Sequence, residues 1–106
     1  MTDTLILFYC PFPTLDAARG MATLLLEARI VACCNLLPIA ESLYWWEGKL
    51  AVTPEIALIA KTTASQAAAV EALIIAHHPY DCPAVLQLPA SSNAAFGQWV
   101  SAQIAR

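Results

Sequence analysis

The residues of this sequence with the greatest capacity for chemistry lie in the stretch HHPYDCP, residues 77–83. His77 and His78 are the only 2 histidines of the chain, and Cys82 is one of its 4 cysteines. Imidazole and thiolate groups are donors suited to soft ions such as Cu(I). The stretch therefore raises three alternatives: a metal site, a catalytic pair, or the plain end of a helix.

The spacing of these groups does not match a closed zinc site, which takes patterns such as C-x-x-C with H-x-x-x-H. Neighbouring helical residues point about 100° apart, so His77 and His78 reach one ion only if the backbone leaves the helix between them. Pro79 favours such a break, because proline disfavours the helical conformation of the residue before it. Histidines at a helix C-terminus also interact well with the last carbonyls, so the structural alternative stays open.

Cys10 ends a short apolar run and has two interpretations of its own. Free cysteine commonly packs as a small apolar residue, whereas the thiolate is a copper ligand. With His78 it could form a thiol–imidazole nucleophile. The chain has only 3 glycines, at positions 20, 48 and 97, and none provides a convincing oxyanion-hole loop. We therefore expect that the protein is not an enzyme.

Glu55 and Lys61 form a further possible site, because residues six apart on one strand share a face. The simpler interpretations are an ion pair or a solvated strand edge. The functional alternative is a small-ligand cleft between subunits, lined by Glu55, Lys61 and Tyr80.

The composition indicates a single domain, residues 1–106, that hides apolar surface by self-association. Hydrophobic residues make up 59% of the 106 residues and charged residues only 12%, about half the usual share of charge. No run is long and uncharged enough for a spanning helix, and the N-terminus has no basic segment of a secretory signal. The net charge of −3, without a basic cluster, argues against nucleic-acid binding. We expect a cytoplasmic oligomer whose cysteines are free thiols.

The hydrophobic periodicity predicts an α+β domain with the order β-α-β-β-α-β-α. Six of these elements form the split β-α-β of the ferredoxin-like plait, and the seventh is an extra C-terminal helix. Thr14 is expected to cap the first helix, Thr63 and Gln66 to form a capping box, and Pro38 to mark a bulge or an edge. Strands are predicted over 4–10, 31–46, 49–62 and 83–89, and helices over 15–28, 64–77 and from about 94.

The second and third strands are long and meet at Glu47-Gly48, a two-residue hairpin signal. Tyr44, Trp45 and Trp46 lie just before this turn. They could form a stacking platform for a ligand, but buried aromatic anchors between subunits are the interpretation that we favour. Trp45 and Trp46 point to opposite sides of the strand, so only contacts in an oligomer can cover both.

The motifs ACCNLLP, SLYWWEGK, KTT and HHPYDCP occur in this order along the chain. In these motifs and their spacing, over essentially the whole length, the sequence resembles the CutA divalent-cation tolerance family. The resemblance implies a ferredoxin-like fold assembled as a tight homotrimer through its long hairpins. It also implies a role in tolerance of divalent metals, especially copper, and no enzymatic reaction.

The resemblance further implies a metal site of Cys10, His77 and His78, with a copper ion or another divalent metal bound. Cys82 lies four residues after His78 and is a possible additional soft donor. The alternative function is a trimeric signalling or interaction module of the PII type. Such a module would bind a small ligand or an unidentified protein partner in the cleft between subunits, using Glu55, Lys61 and Tyr80, with Cys82 beside them.

Overall fold

The computed structural model describes residues 4–104, and the order of elements predicted from the sequence is confirmed. A 3₁₀ turn over Ala64–Gln66 precedes the second helix. The elements are β1 (Leu5–Phe12), α1 (Leu15–Glu27), β2 (Cys33–Trp46), β3 (Lys49–Thr63), α2 (Ala67–His77), β4 (Leu86–Ala90) and α3 (Ala94–Gln103).

The four strands form one antiparallel sheet in the order β2-β3-β1-β4. This order, with one helix after β1 and another after β3, is compatible with the ferredoxin-like plait. β1 lies inside the sheet and pairs with β3 along its whole length, from Leu5 to Phe12. Its pairing with β4 stops at Tyr9. The last residues of β1 therefore have a strand on one side only.

Helices α1 and α2 pack on one face of the sheet and form the main core. Thr14 caps α1 as predicted, since its Oγ1 accepts a hydrogen bond from the Ala17 amide at 3.1 Å. Helix α3 packs elsewhere, in a second cluster with Leu5 of β1. No helix of the described chain is long and apolar enough to cross a membrane. The main core is formed by Phe8, Cys10, Phe12, Ala18, Met21, Ala22, Leu25, Val31, Leu58, Ala60, Val70 and Ile74.

The β2–β3 hairpin extends beyond the rest of the sheet as a two-stranded arm. Glu47 and Gly48 have φ angles of 49° and 76°, the pattern of a type I′ turn, whose twist suits a hairpin. The register shifts between Leu37 and Ala40, so a β-bulge lies at Pro38, as predicted. Proline is tolerated at a bulge because the ladder is already interrupted there.

Some predicted boundaries were wrong. β1 continues through Pro11 to Phe12 instead of ending at Cys10. β4 no longer pairs with β1 at Pro11, so the missing N–H of the proline removes no hydrogen bond to β4. The Thr63 side chain makes no capping hydrogen bond and lies 3.1 Å from the Ser65 hydroxyl. β4 begins at Leu86 instead of residue 83.

The turn conformation predicts that Gly48 cannot be replaced without a loss of stability. At φ 76° an added Cβ is strained even though nothing lies within 4 Å of it, so we expect Gly48→Ala to lower the free energy of unfolding by about 1 kcal/mol. Gly20 lies inside α1 with equally open space, so Gly20→Ala should raise it by about 0.5–1 kcal/mol. Urea unfolding at one protein concentration measures both, and equal effects of the same sign would contradict the turn assignment.

Candidate functional site

The chain leaves α2 between the two histidines, as Pro79 favours. His77 is the last helical residue and is exposed. The His78 amide still bonds to the Ile74 carbonyl at 2.8 Å, but its own φ and ψ of −72° and 138° are extended. The two side chains therefore have different surroundings: one lies on the surface and the other turns back onto the sheet.

The His78 imidazole is held by both of its ring nitrogens. The Tyr80 amide donates to Nδ1 at 3.0 Å, and Nε2 lies 2.8 Å from the Pro11 carbonyl oxygen. An amide can only donate and a carbonyl can only accept, so the proton is on Nε2. The ring also stacks on Phe12, with centroids 4.3 Å apart. Burial lowers the pKa of His78, against raising contributions from the Pro11 hydrogen bond and Glu55. The ring is a neutral structural clamp.

The next aromatic residue is joined to a buried carboxylate. The Tyr80 hydroxyl donates to Oε2 of Glu55 at 2.7 Å, and Glu55 is only 8% exposed. The Tyr80 ring also packs at a tilt against His78, with centroids 4.9 Å apart. Burial, followed by the hydrogen bond to Glu55, raises the pKa of Tyr80. The phenol therefore stays protonated and serves as a fixed donor.

Cys10 lies fully buried in the main core. Burial, assisted by the charge of Glu55, raises the pKa of its thiol to about 12. Its Sγ lies 3.9 Å from the Pro11 carbonyl oxygen, a weak contact. The group is a protonated thiol at neutral pH, packed as a small apolar side chain.

The structure does not gather the proposed metal ligands into one cluster. Within residues 4–104, no group of three or more histidine, cysteine, aspartate or glutamate side chains has the arrangement to hold an ion. Cys10 is buried and His78 has both nitrogens engaged, whereas His77 and Cys82 are exposed. The soft donors thus divide into an inner pair and an outer pair.

The possible cleft residues also divide. Glu55 and Tyr80 are in contact, but Lys61 lies six residues further along β3, roughly 20 Å away. The Lys61 ammonium instead donates to Oδ1 of Asn35 on β2. Nearby, burial and the neighbouring Cys33 raise the pKa of Cys34 to about 12, against a lowering contribution from Lys61. Within one chain, Lys61 is not part of a site with Glu55.

A pocket of about 580 Å³ lies between the hairpin arm and the segment that follows Pro79. Glu55, Tyr80 and Cys82 line it together with Tyr44, Trp46 and Asp81. Sequence reasoning missed Asp81, and for Trp46 it favoured a subunit contact over a stacking platform for a ligand. The available signal was the alternation of β2, which puts Tyr44 and Trp46 on one face of the arm.

The opposite face of the arm is apolar and open to solvent. Leu43 lies directly across from Val52, and Trp45 across from Leu50, so the four side chains form one patch, called here the arm patch. Trp45 is 75% exposed. Contiguous apolar surface of this kind typically marks an interaction site.

The fold and this site define a class: a small α+β domain with an antiparallel sheet, three described helices and an overlong hairpin arm. Comparison with known families and structures identifies that class. The family model for the CutA1 divalent ion tolerance protein matches residues 6–103. The chain belongs to this family.

Individual relatives agree with the family match. The divalent-cation tolerance protein CutA of Pectobacterium atrosepticum is 37% identical over 93% of this chain and 91% of its own. The crystal structure of CutA1 from Ehrlichia chaffeensis has a TM-score of 0.95 at 33% identity, covering 100% of both chains. That of CutA1 from Oryza sativa has a TM-score of 0.94 at 33% identity, covering 98% of this chain and 96% of its own.

The clamp predicts a pH dependence of stability. An unfolded histidine takes up a proton near pH 6.5, whereas burial lowers the pKa of His78 in the fold. Between the two pKa values the unfolded chain binds more protons, so the contribution of His78 is complete above about pH 6.5 and is lost as the pH falls. We expect His78→Asn to flatten the fall in unfolding free energy between pH 6.5 and 5.

The matched control for this prediction is His77→Asn, which changes the exposed neighbour. Denaturant unfolding across the same pH range, at one protein concentration, compares the two variants with the unmodified chain. If the fall in unfolding free energy with pH is flattened in His77→Asn and not in His78→Asn, the assignment of the pH dependence to His78 is wrong.

Proposed function

We propose that this chain works as a cytoplasmic homotrimer in divalent-cation tolerance, with copper as its ion and without enzymatic activity. The observation that carries the assembly is the arm patch, because a free monomer would leave four large apolar side chains in water. β2 is also an edge strand of the sheet, and a long unpaired edge invites pairing with another chain. The cytoplasmic location is supported by four free cysteines, which persist in a reducing compartment.

Trp45→Lys tests the assembly. A charge at the centre of the arm patch disfavours subunit contact but leaves the fold of one subunit intact, because Trp45 packs little within the chain. We expect native mass spectrometry and sedimentation to give a trimer for the unmodified protein and monomers for the variant. Ile75→Lys is the matched control, since Ile75 is a 56% exposed residue of α2, and it should remain trimeric. A trimer that survives Trp45→Lys would contradict this role of the arm.

The copper proposal rests on soft donors at one end of the domain. His77 and Cys82 flank the turn after α2 and are exposed, so their chemistry fits a thiophilic ion such as Cu(I). Cys10 and His78 cannot bind an ion in the arrangement that the structure shows. The Cys10 thiol is buried, and the His78 ring has no free nitrogen lone pair. We propose that His77 and Cys82 take the ion first. Cys10 and His78 contribute only if His78 releases the Pro11 carbonyl or the Tyr80 amide.

A Cu(I) titration of the reduced protein against a coloured competing chelator separates the two pairs. We expect His77→Asn with Cys82→Ser to weaken binding by more than about tenfold, because loss of even a hydrogen-bonding partner of a metal ligand typically costs about 10–100-fold in affinity. Cys33→Ser is the control and should change nothing. Binding should also weaken in acid, because thiolate and imidazole must lose protons to bind. If Cys10→Ala alone abolishes binding, the inner pair is the true site.

A further inference from the structure

The pocket beneath the arm is lined by acidic groups that no basic residue among positions 4–104 is seen to pair with. Glu55 and Asp81 both line it, and no described lining residue is basic. In the described chain the one ion pair joins Arg19 to Asp16, on α1. The pocket is therefore acidic, and its charge is open to a ligand.

Glu55 is the central group of this pocket. It is more than nine-tenths buried, and burying a carboxylate is costly unless hydrogen bonds or an opposite charge compensate it. Tyr80 supplies one neutral hydrogen bond, to Oε2. Among the described residues, the structure gives the other oxygen, Oε1, no partner. That oxygen is free to accept a hydrogen bond from a donor inside the pocket.

The walls of the pocket are aromatic and well fixed. Tyr44 is anchored through a 3.0 Å hydrogen bond between its hydroxyl and that of Thr53. Tyr80 is held by Glu55 and His78, and the more exposed Trp46 also lines the pocket. Aromatic faces attract cations, because their π electrons present negative charge. The volume of about 580 Å³ lies within the usual range for small organic ligands.

We propose that this pocket binds a small organic cation, namely a protonated amine with an apolar body. The ammonium group donates to Oε1 of Glu55, and the apolar body packs between Tyr44 and Trp46. A metal ion satisfies the charge but makes no use of the aromatic walls, which is why the geometry favours an amine. The proposal is independent of the copper donors, apart from Cys82 at the pocket wall.

The test uses the full chain in its assembled state and two probes of similar shape. Cyclohexylammonium carries the charge, and cyclohexanol is its neutral counterpart. Calorimetry and ligand-observed NMR should show cyclohexylammonium binding at least about tenfold more tightly. Glu55→Gln should remove that preference, whereas Glu41→Gln, which changes an exposed acid on the other face of the arm, should keep it.

Further measurements on Trp46→Leu and Glu55→Gln test the pocket if the first comparison fails. If Glu55→Gln does not fold, Trp46→Leu tests the same pocket and should weaken binding of the amine several-fold. Equal binding of both probes, or an unchanged preference in Glu55→Gln, overturns the proposal. Loss of the trimer in Glu55→Gln, without amine binding to the unmodified protein, would identify a neighbouring subunit as the occupant. Cu(I) affinity measured on Glu55→Gln should stay unchanged, which separates this outcome from the copper proposal.

Discussion

The position of His78 decides much of the local structure around the candidate site. β4 stops pairing with β1 at Tyr9, so the Pro11 carbonyl has no strand on the β4 side of β1, although β3 still pairs on the other side. The His78 ring takes the place of the missing strand and donates to that carbonyl, while its other nitrogen receives the Tyr80 amide. One neutral side chain thus satisfies two backbone groups that would be costly to leave unpaired. It also fixes the direction in which Tyr80 reaches Glu55.

This arrangement changes the meaning of a motif rich in metal donors. A histidine whose nitrogens both serve the backbone is a packing element until one of those bonds opens. Cys10, beneath it, belongs to the hydrophobic core by burial and by its raised pKa. The exposed members, His77 and Cys82, have neither constraint. Membership of a divalent ion tolerance family is thus compatible with separate roles for these residues: His78 holds the turn, Cys10 packs in the core, and His77 and Cys82 face solvent.

Much of the fold could be predicted from the sequence, because its signals are local. Thr14 before an apolar helical stripe, and Glu47-Gly48 between two strand-like runs, each specify an element through its immediate neighbours. The surroundings of His78 could not be predicted in this way. Its ring bonds to a residue 67 positions earlier, and no local pattern reveals which nitrogen will be occupied. The contact of Glu55 with Tyr80 spans 25 positions. The sequence grouped these two residues with Lys61 in a cleft between subunits, but no local pattern shows that they meet within one chain.

The bulge at Pro38 joins two halves of β2 that pair with one continuous β3 in different registers. Before the bulge, odd-numbered residues of β2 lie opposite odd-numbered residues of β3, as Leu37 lies opposite Ala57. Beyond the bulge, even-numbered residues of β2 lie opposite odd-numbered residues of β3, as Tyr44 lies opposite Ala51. The extra residue therefore reverses the parity of the strand. Because β3 is continuous and the turn pairs Trp46 with Lys49, removal of the extra residue would leave Tyr44 opposite Ala51 and Trp45 opposite Leu50. Both faces of the arm would keep their side chains. A bulge bends its strand and increases the local twist, so the loss would instead change the direction in which the arm leaves the sheet.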